Sequence, residues 1–200
     1  MCAVQPFAPP APLRGDMQTA ERTERDRVLV RSFLEDRSET AFRELYRVHA
    51  PAVYAFTVRY LGGNRREADD AFQEAWLRAA VKLNTFRGDA SLRTWLTGIA
   101  LNCAREAVRR AGRGPEAPMD EPALAVTAPA RGRIDRFDLE RAIAGLPEGT
   151  RAVLLLHDVE GYTHDEIGRL LSIPPGTCKS RLSRARGALR ARLTQGDPAS

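Results

Sequence analysis

Apolar residues recur along this chain at three- and four-residue steps, the period of one helix face and not of a half-buried strand. Between residues 22 and 111, Phe33, Phe42, Leu45, Tyr46, Val53, Tyr54 and Val58 keep those steps and predict a helix pair, with Pro51 as an early helical position. After the Gly62-Gly63-Asn64 break, Ala68, Ala71, Phe72, Ala75, Trp76 and Ala79 fall on one face, and Glu67, Asp70, Gln73 and Glu74 on the other. Beyond Phe86-Arg87-Gly88-Asp89, Ser91 can cap a helix whose apolar stripe is Leu92, Trp95, Leu96, Ile99, Cys103 and Ala107, with Arg105, Arg109 and Arg110 at its end.

A second block, 134–194, repeats the periodicity in shorter pieces. Ile134, Phe137, Ile143 and Leu146 precede Pro147; Thr150 is then the expected cap for a helix through Val153 to Leu156, ended by Gly161. Thr163-His164-Asp165-Glu166 has the form in which cap and third helical residue satisfy each other's amides, and Ile167, Leu170 and Leu171 follow. Ser172 to Gly176 is too short and proline-rich for anything but a tight turn. A last helix carries Cys178, Leu182, Ala185, Leu189 and Leu193 inward. Two short helices joined this way predict a helix-turn-helix. The fold class expected is therefore all-α, two small helical domains joined by a flexible linker.

The linker and tails are read from proline. Pro6, Pro9, Pro10 and Pro12 fall in the first dozen residues, and Pro115, Pro118, Pro122 and Pro129 between Gly112 and Gly132. Such segments bury too little apolar surface to offset their ordering entropy. Residues 1–21 are expected to be a disordered tail, 112–133 a linker and 195–200 a second tail.

Charge sharpens the picture. Among 31 basic and 26 acidic residues, every base except Lys82 and Lys179 is arginine, and the net charge of +5 suits a polyanionic partner. No acid occurs between Gly176 and Gln195, so the last helix is apolar on one side and strongly positive on the other. A recognition helix enters the major groove N-terminus first, which places Thr177, Lys179, Ser180, Arg181, Arg184 and Arg186 against bases and phosphates, with later arginines on backbone or solvent. Glu67, Asp70 and Glu74 form a solvated helix face or, on the functional reading, a protein-docking one. Phe86, Arg87 and Trp95 beside a basic helix end combine π-faces and cations suited to unstacked bases.

Several classes drop out. Three scattered cysteines, Cys2, Cys103 and Cys178, make neither a disulfide scaffold nor a zinc finger, and His157, Asp158, His164, Asp165 and Glu166 lack metal spacing. No nucleophile elbow, phosphate-cradling glycine loop or paired catalytic motif occurs, so no catalysis, cofactor, metal or small-molecule substrate is expected. No long apolar span or secretory leader pattern is present, which reads as cytoplasmic.

The order and wording of both blocks resemble a bacterial RNA polymerase sigma factor of the extracytoplasmic-function group, sigma-70 family, over nearly all of the expected ordered chain. Glu67-Ala68-Asp69-Asp70-Ala71-Phe72-Gln73-Glu74 is similar to the family's region-two Asp-Ala-Glu-Asp-Leu-Val-Gln-Glu motif, implying that Glu67, Asp70, Gln73 and Glu74 bind core RNA polymerase. Phe86-Arg87-Gly88 and Ser91-Leu92-Arg93-Thr94-Trp95-Leu96 to Arg109-Arg110 resemble the part that opens and reads the minus-ten element, implying Phe86, Arg87, Ser91, Arg93, Trp95, Asn102, Arg105, Arg109 and Arg110 as its contacts. Leu146-Pro147, Glu160-Gly161-Tyr162, Glu166-Ile167 and Ile173 to Leu182 look like region four, which reads the minus-thirty-five element as duplex. The resemblance also implies a regulatory anti-sigma partner, often membrane-anchored.

Two positions depart from the family pattern. Ala71 replaces a leucine, and Cys178 stands where valine is usual; a cysteine there is a small hydrophobe or, on the sharper reading, a redox switch. The alternative to a sigma factor is a stand-alone helix-turn-helix regulator, with a nucleic-acid enzyme such as a recombinase a further rival. A regulator would carry a ligand-binding or dimerising first block; an acidic docking helix followed by an aromatic-basic one argues against it.

Overall fold

A computed structural model describes residues 17–112 and 136–194; the linker, the tail residues 1–16 and 195–200, and Ile134 lie outside them. The order is α1 (Met17–Asp36), α2 (Glu39–Tyr60), α3 (Arg65–Lys82), a 3-10 turn, α4 (Leu92–Arg110), α5 (Arg136–Ala144), α6 (Glu148–Leu154), a π-helical turn (Leu155–Val159), α7 (His164–Leu171) and α8 (Pro175–Thr194). No strand occurs among the described residues.

In the first half, the Ser38, Asn64 and Ser91 side chains each accept the amide of the third helical residue, starting α2, α3 and α4. Gly62 and Gly63 turn the chain between α2 and α3 at φ +66° and +88°. The α3 face holds Ala68, Ala71, Ala75 and Ala79, all buried, and α3 packs most extensively on α4, whose Ala100 and Ala104 are also buried. Small side chains bring the two axes close, so alanine at 71 suits this packing. The α1 helix is tied to α2 by a buried Asp26–His49 contact of 2.9 Å.

Three local expectations need correction. The first helix begins at Met17, inside the stretch read as a tail. Pro51 lies in the middle of α2 rather than near a helix start. It is exposed, and burial of Val53, Phe56 and Tyr60 beyond it outweighs the one lost hydrogen bond. Thr150 is no cap: Pro147 holds the N-cap of α6, the Arg151 amide donates to the Pro147 carbonyl (2.8 Å), and Thr150 is buried inside the first turn.

The second half is a helix-turn-helix on a short-helix base. The Thr163/Glu166 capping box is formed, Ser172 leaves α7 in the left-handed conformation, and Pro175 opens α8. Gly168 is required at this corner, because a Cβ there would sit 2.8 Å from the Ile173 carbonyl oxygen. Cys178, Leu182 and Ala185 face inward as expected. Arg192 joins them: it is buried and donates to the Ala142 and Gly145 carbonyls (2.7 and 3.1 Å), so this later arginine contacts neither backbone phosphate nor solvent.

The halves also touch directly, and one apolar cluster runs through both. The Tyr162 hydroxyl donates to the Thr94 carbonyl (2.7 Å), and Arg151 Nε to the Tyr60 carbonyl (3.0 Å). Arg93 makes two hydrogen bonds, 3.0 and 2.9 Å, to Glu160, whose side chain is almost fully enclosed.

Candidate nucleic-acid interface

Three surfaces carry the residues singled out by sequence. On α3, Asp70 and Gln73 are exposed, while Glu67 and Glu74 are half-buried at the edge of an open groove of about 950 Å³ between α3 and the end of α4. Glu74 accepts from Arg78 (2.6 Å), and Arg78 also grips Glu106 with two bonds of 2.8 Å. The Arg78 bond holds the Glu106 carboxyl below its ordinary range. Asp70 and Gln73 are thus the more available of the four. One signal was missed. Leu77 and Val81 continue the Asp70/Gln73 side of α3 and are 66% and 79% exposed. Large apolar residues out of phase with the core stripe could have flagged them.

The second surface is α4 and the loop before it. Phe86 and Trp95 rings lie 5.7 Å apart, tilted by 59°, both half-buried. Trp95 is therefore part core and part surface. Ser91 is spent on capping, its Oγ accepting the Thr94 amide at 3.1 Å. Arg87, Asn102, Arg109 and Arg110 are exposed. Arg93 and Arg105 are not grouped with them: Arg93 is held by Glu160, and Arg105 donates to the Leu170 carbonyl (2.9 Å) in the other half.

The third surface is α8. Lys179, Ser180, Arg184 and Arg186 are exposed, and Ser180 Oγ donates to the Thr177 carbonyl (3.0 Å) within the helix. Arg181 lies across Gly149 at the start of α6; a Cβ on that glycine would come within 2.4 Å of its guanidinium. Arg186 is paired through two bonds (3.0 and 2.6 Å) with Asp158, whose carboxyl this pairing holds below its ordinary range. Cys178 has no solvent exposure and burial pushes its thiol up, surroundings that suit a small hydrophobe better than an accessible, reactive thiolate.

Among the described residues, no cluster of three metal-ligating side chains occurs, and no helix is long and apolar enough to cross a membrane.

Comparison with known proteins assigns both halves. Residues 45–114 match the family profile described as Sigma-70 region 2, and 136–189 match Sigma-70, region 4. The ECF RNA polymerase sigma factor SigM of Mycobacterium tuberculosis is 36% identical over 155 residues, covering 76% of each chain. Among solved structures, the sigma factor RpoE in complex with the anti-sigma factor NepR from Bartonella quintana aligns at a TM-score of 0.59 and 25% identity, over 76% of this chain and 96% of that one. CnrH in complex with the cytosolic domain of CnrY aligns at 0.55 and 26% identity, over 86% of this chain and 99% of that one. Region 2 followed by a region-4 helix-turn-helix, matched in both halves, makes the chain a member of the sigma-70 family, an ECF RNA polymerase sigma factor that directs promoter-specific transcription initiation.

Proposed function

We propose the following division of work among the surfaces of two halves, the first beginning with α1 at Met17 and ending near residue 111, the second spanning 134–194. Asp70 and Gln73, flanked by Glu67 and Glu74, dock on core polymerase. Arg87, Phe86, Trp95, Asn102, Arg109 and Arg110 receive the melted minus-ten strand. Thr177, Lys179, Ser180 and Arg184 enter the major groove at the minus-thirty-five element, and Arg181 and Arg186 border it. The observation that carries this reading is α8, a helix anchored by Cys178, Leu182 and Ala185 while Lys179, Ser180 and Arg184 stand exposed. The chain supplies recognition, and nucleotide addition belongs to the polymerase. That work places the protein in the cytoplasm.

The packed arrangement is a state that must open. Elements centred at minus ten and minus thirty-five lie about 25 base pairs apart, roughly 85 Å at 3.4 Å per step. Both elements can be held together only when the packed halves part. Parting would release Arg93 from Glu160 and Arg105 from the Leu170 carbonyl, adding both to the minus-ten surface. Joined readers then gain from effective concentration, each one weak alone. An anti-sigma partner, like those in the NepR and CnrY complexes, would act by opposing this opening.

Lys179→Ala tests the duplex surface. Removing one phosphate or base contact is expected to weaken binding of the full chain to a minus-thirty-five duplex about tenfold and to lower the salt slope by about one, with core-polymerase affinity unchanged. Fluorescence anisotropy across salt concentrations reads both, and an effect on polymerase binding alone would contradict the assignment. Lys179 is a cleaner probe than Arg181, which also packs on Gly149.

A further inference from the structure

A groove of about 460 Å³ runs beside α8 on the flank nearest the start of α7, lined by His157, His164, Lys179, Ser183, Arg186 and Arg190. The two imidazoles are stacked at a tilt, 4.7 Å between centroids. The ionisable groups that face them come from three elements. The π-helical turn supplies Asp158, whose Oδ1 lies 2.8 Å from His157 Nδ1; α7 supplies Asp165; and α8 supplies Lys179, Arg186 and Arg190. Asp158 is already engaged by Arg186 through two hydrogen bonds, so one carboxylate is shared between a guanidinium and an imidazole. The balance around the pair is positive.

In a helix-turn-helix the first helix crosses the nucleic-acid backbone while the second enters the groove. His164 is the first residue of α7, and Lys179 lies in the first turn and a half of α8. Their shared groove therefore borders the strand that α8 straddles. From this placement we propose that His157 and His164 form a proton-dependent clamp for a DNA backbone phosphate, tightening duplex binding as pH falls from 8 to 6. The inference rests on α8 being the duplex-reading helix.

The sign follows from the surroundings. In the free chain, burial lowers the His164 pKa, and the neighbouring His157 and Lys179 lower it further. A phosphate entering the groove favours the imidazolium and raises the pKa in the complex. Binding then takes up protons, and by linkage affinity rises as pH drops through the bound value. Lys179 keeps its own contact at pH 8.

The test measures anisotropy of the full chain on a duplex that it has selected from a random pool at pH 8, at fixed ionic strength, at pH 8 and at pH 6. Wild type is expected to tighten about tenfold between the two pH values. His157→Gln/His164→Gln, with helical circular dichroism checked against the parent, is expected to change less than twofold, and His164→Gln alone to fall between. A pH-independent wild type, or a double variant that keeps the full pH response, would overturn the clamp; Lys179-dependent binding at pH 8 would then leave α8 as the duplex reader. Absence of Lys179-dependent binding at both pH values would overturn the clamp and that reading together.

Discussion

Asp70→Lys is expected to lower affinity for core polymerase about a hundredfold, with duplex binding by the full chain unaltered. Asp70 is exposed on α3, so the new lysine meets a partner surface without disturbing the fold. Placing a like charge across a complementary interface costs several kcal/mol, and about 3 kcal/mol corresponds to two orders of magnitude. The neighbouring Glu74 would be a poorer choice, because its bond to Arg78 belongs to the Arg78–Glu106 network that links α3 to α4. Titration of labelled chain with core polymerase reads the effect. Equal affinity of Asp70→Lys and parent would remove α3 from the docking surface.

Arg192→Ala is expected to destabilise the protein by about 3 kcal/mol in urea unfolding. Its guanidinium is buried and caps the last carbonyls of α5 and the turn after it, at Ala142 and Gly145. A cation at a helix C-terminus is favoured by the aligned peptide dipoles. Truncation takes this donor from the buried Ala142 carbonyl and the partly buried Gly145 carbonyl, at about 1–3 kcal/mol in total after relaxation, and also removes the packed aliphatic stem. Arg192→Met keeps the stem and is expected to lose about 2 kcal/mol. A loss under about 0.5 kcal/mol for both would show that water replaces the guanidinium at no cost.

Arg192 also shows where the sequence was legible and where it was not. The period that placed Cys178, Leu182, Ala185 and Leu189 inward reaches Arg192 at the next three-residue step, yet charge type alone assigns an arginine to the solvated face. Only the approach of α5 turns it into a cap. The same limit explains Arg93 and Arg105. Their spacing on α4 and their charge suit nucleic acid, but Glu160 and the Leu170 carbonyl come from more than sixty residues away, and no local pattern encodes that meeting. Long-range contact between the halves was the main feature hidden from periodicity.

Local physics was legible wherever it was self-contained. Ser91 and the Thr163/Glu166 box depend on residues three apart, and the alanine face of α3 depends on one helix period; all are realised. Pro147 and Thr150 compete for one helix start within four residues, and the fixed φ of proline settles it in a way that cap preference alone does not express. Leu77 and Val81 were legible in principle as apolar residues on a polar face. They extend the α3 surface toward its C-terminal end, beside the acidic positions that the family motif marks.

This chain turns core polymerase into a promoter-specific enzyme. Run-off transcription with purified bacterial core polymerase on a pool of promoter fragments, with and without the full chain, followed by sequencing of the RNA starts, tests it most directly. Discrete, chain-dependent starts sharing two upstream elements at fixed spacing are expected, lost with Asp70→Lys. Starts that do not depend on the chain, alongside Lys179-dependent duplex binding, would contradict it and describe a stand-alone DNA-binding regulator.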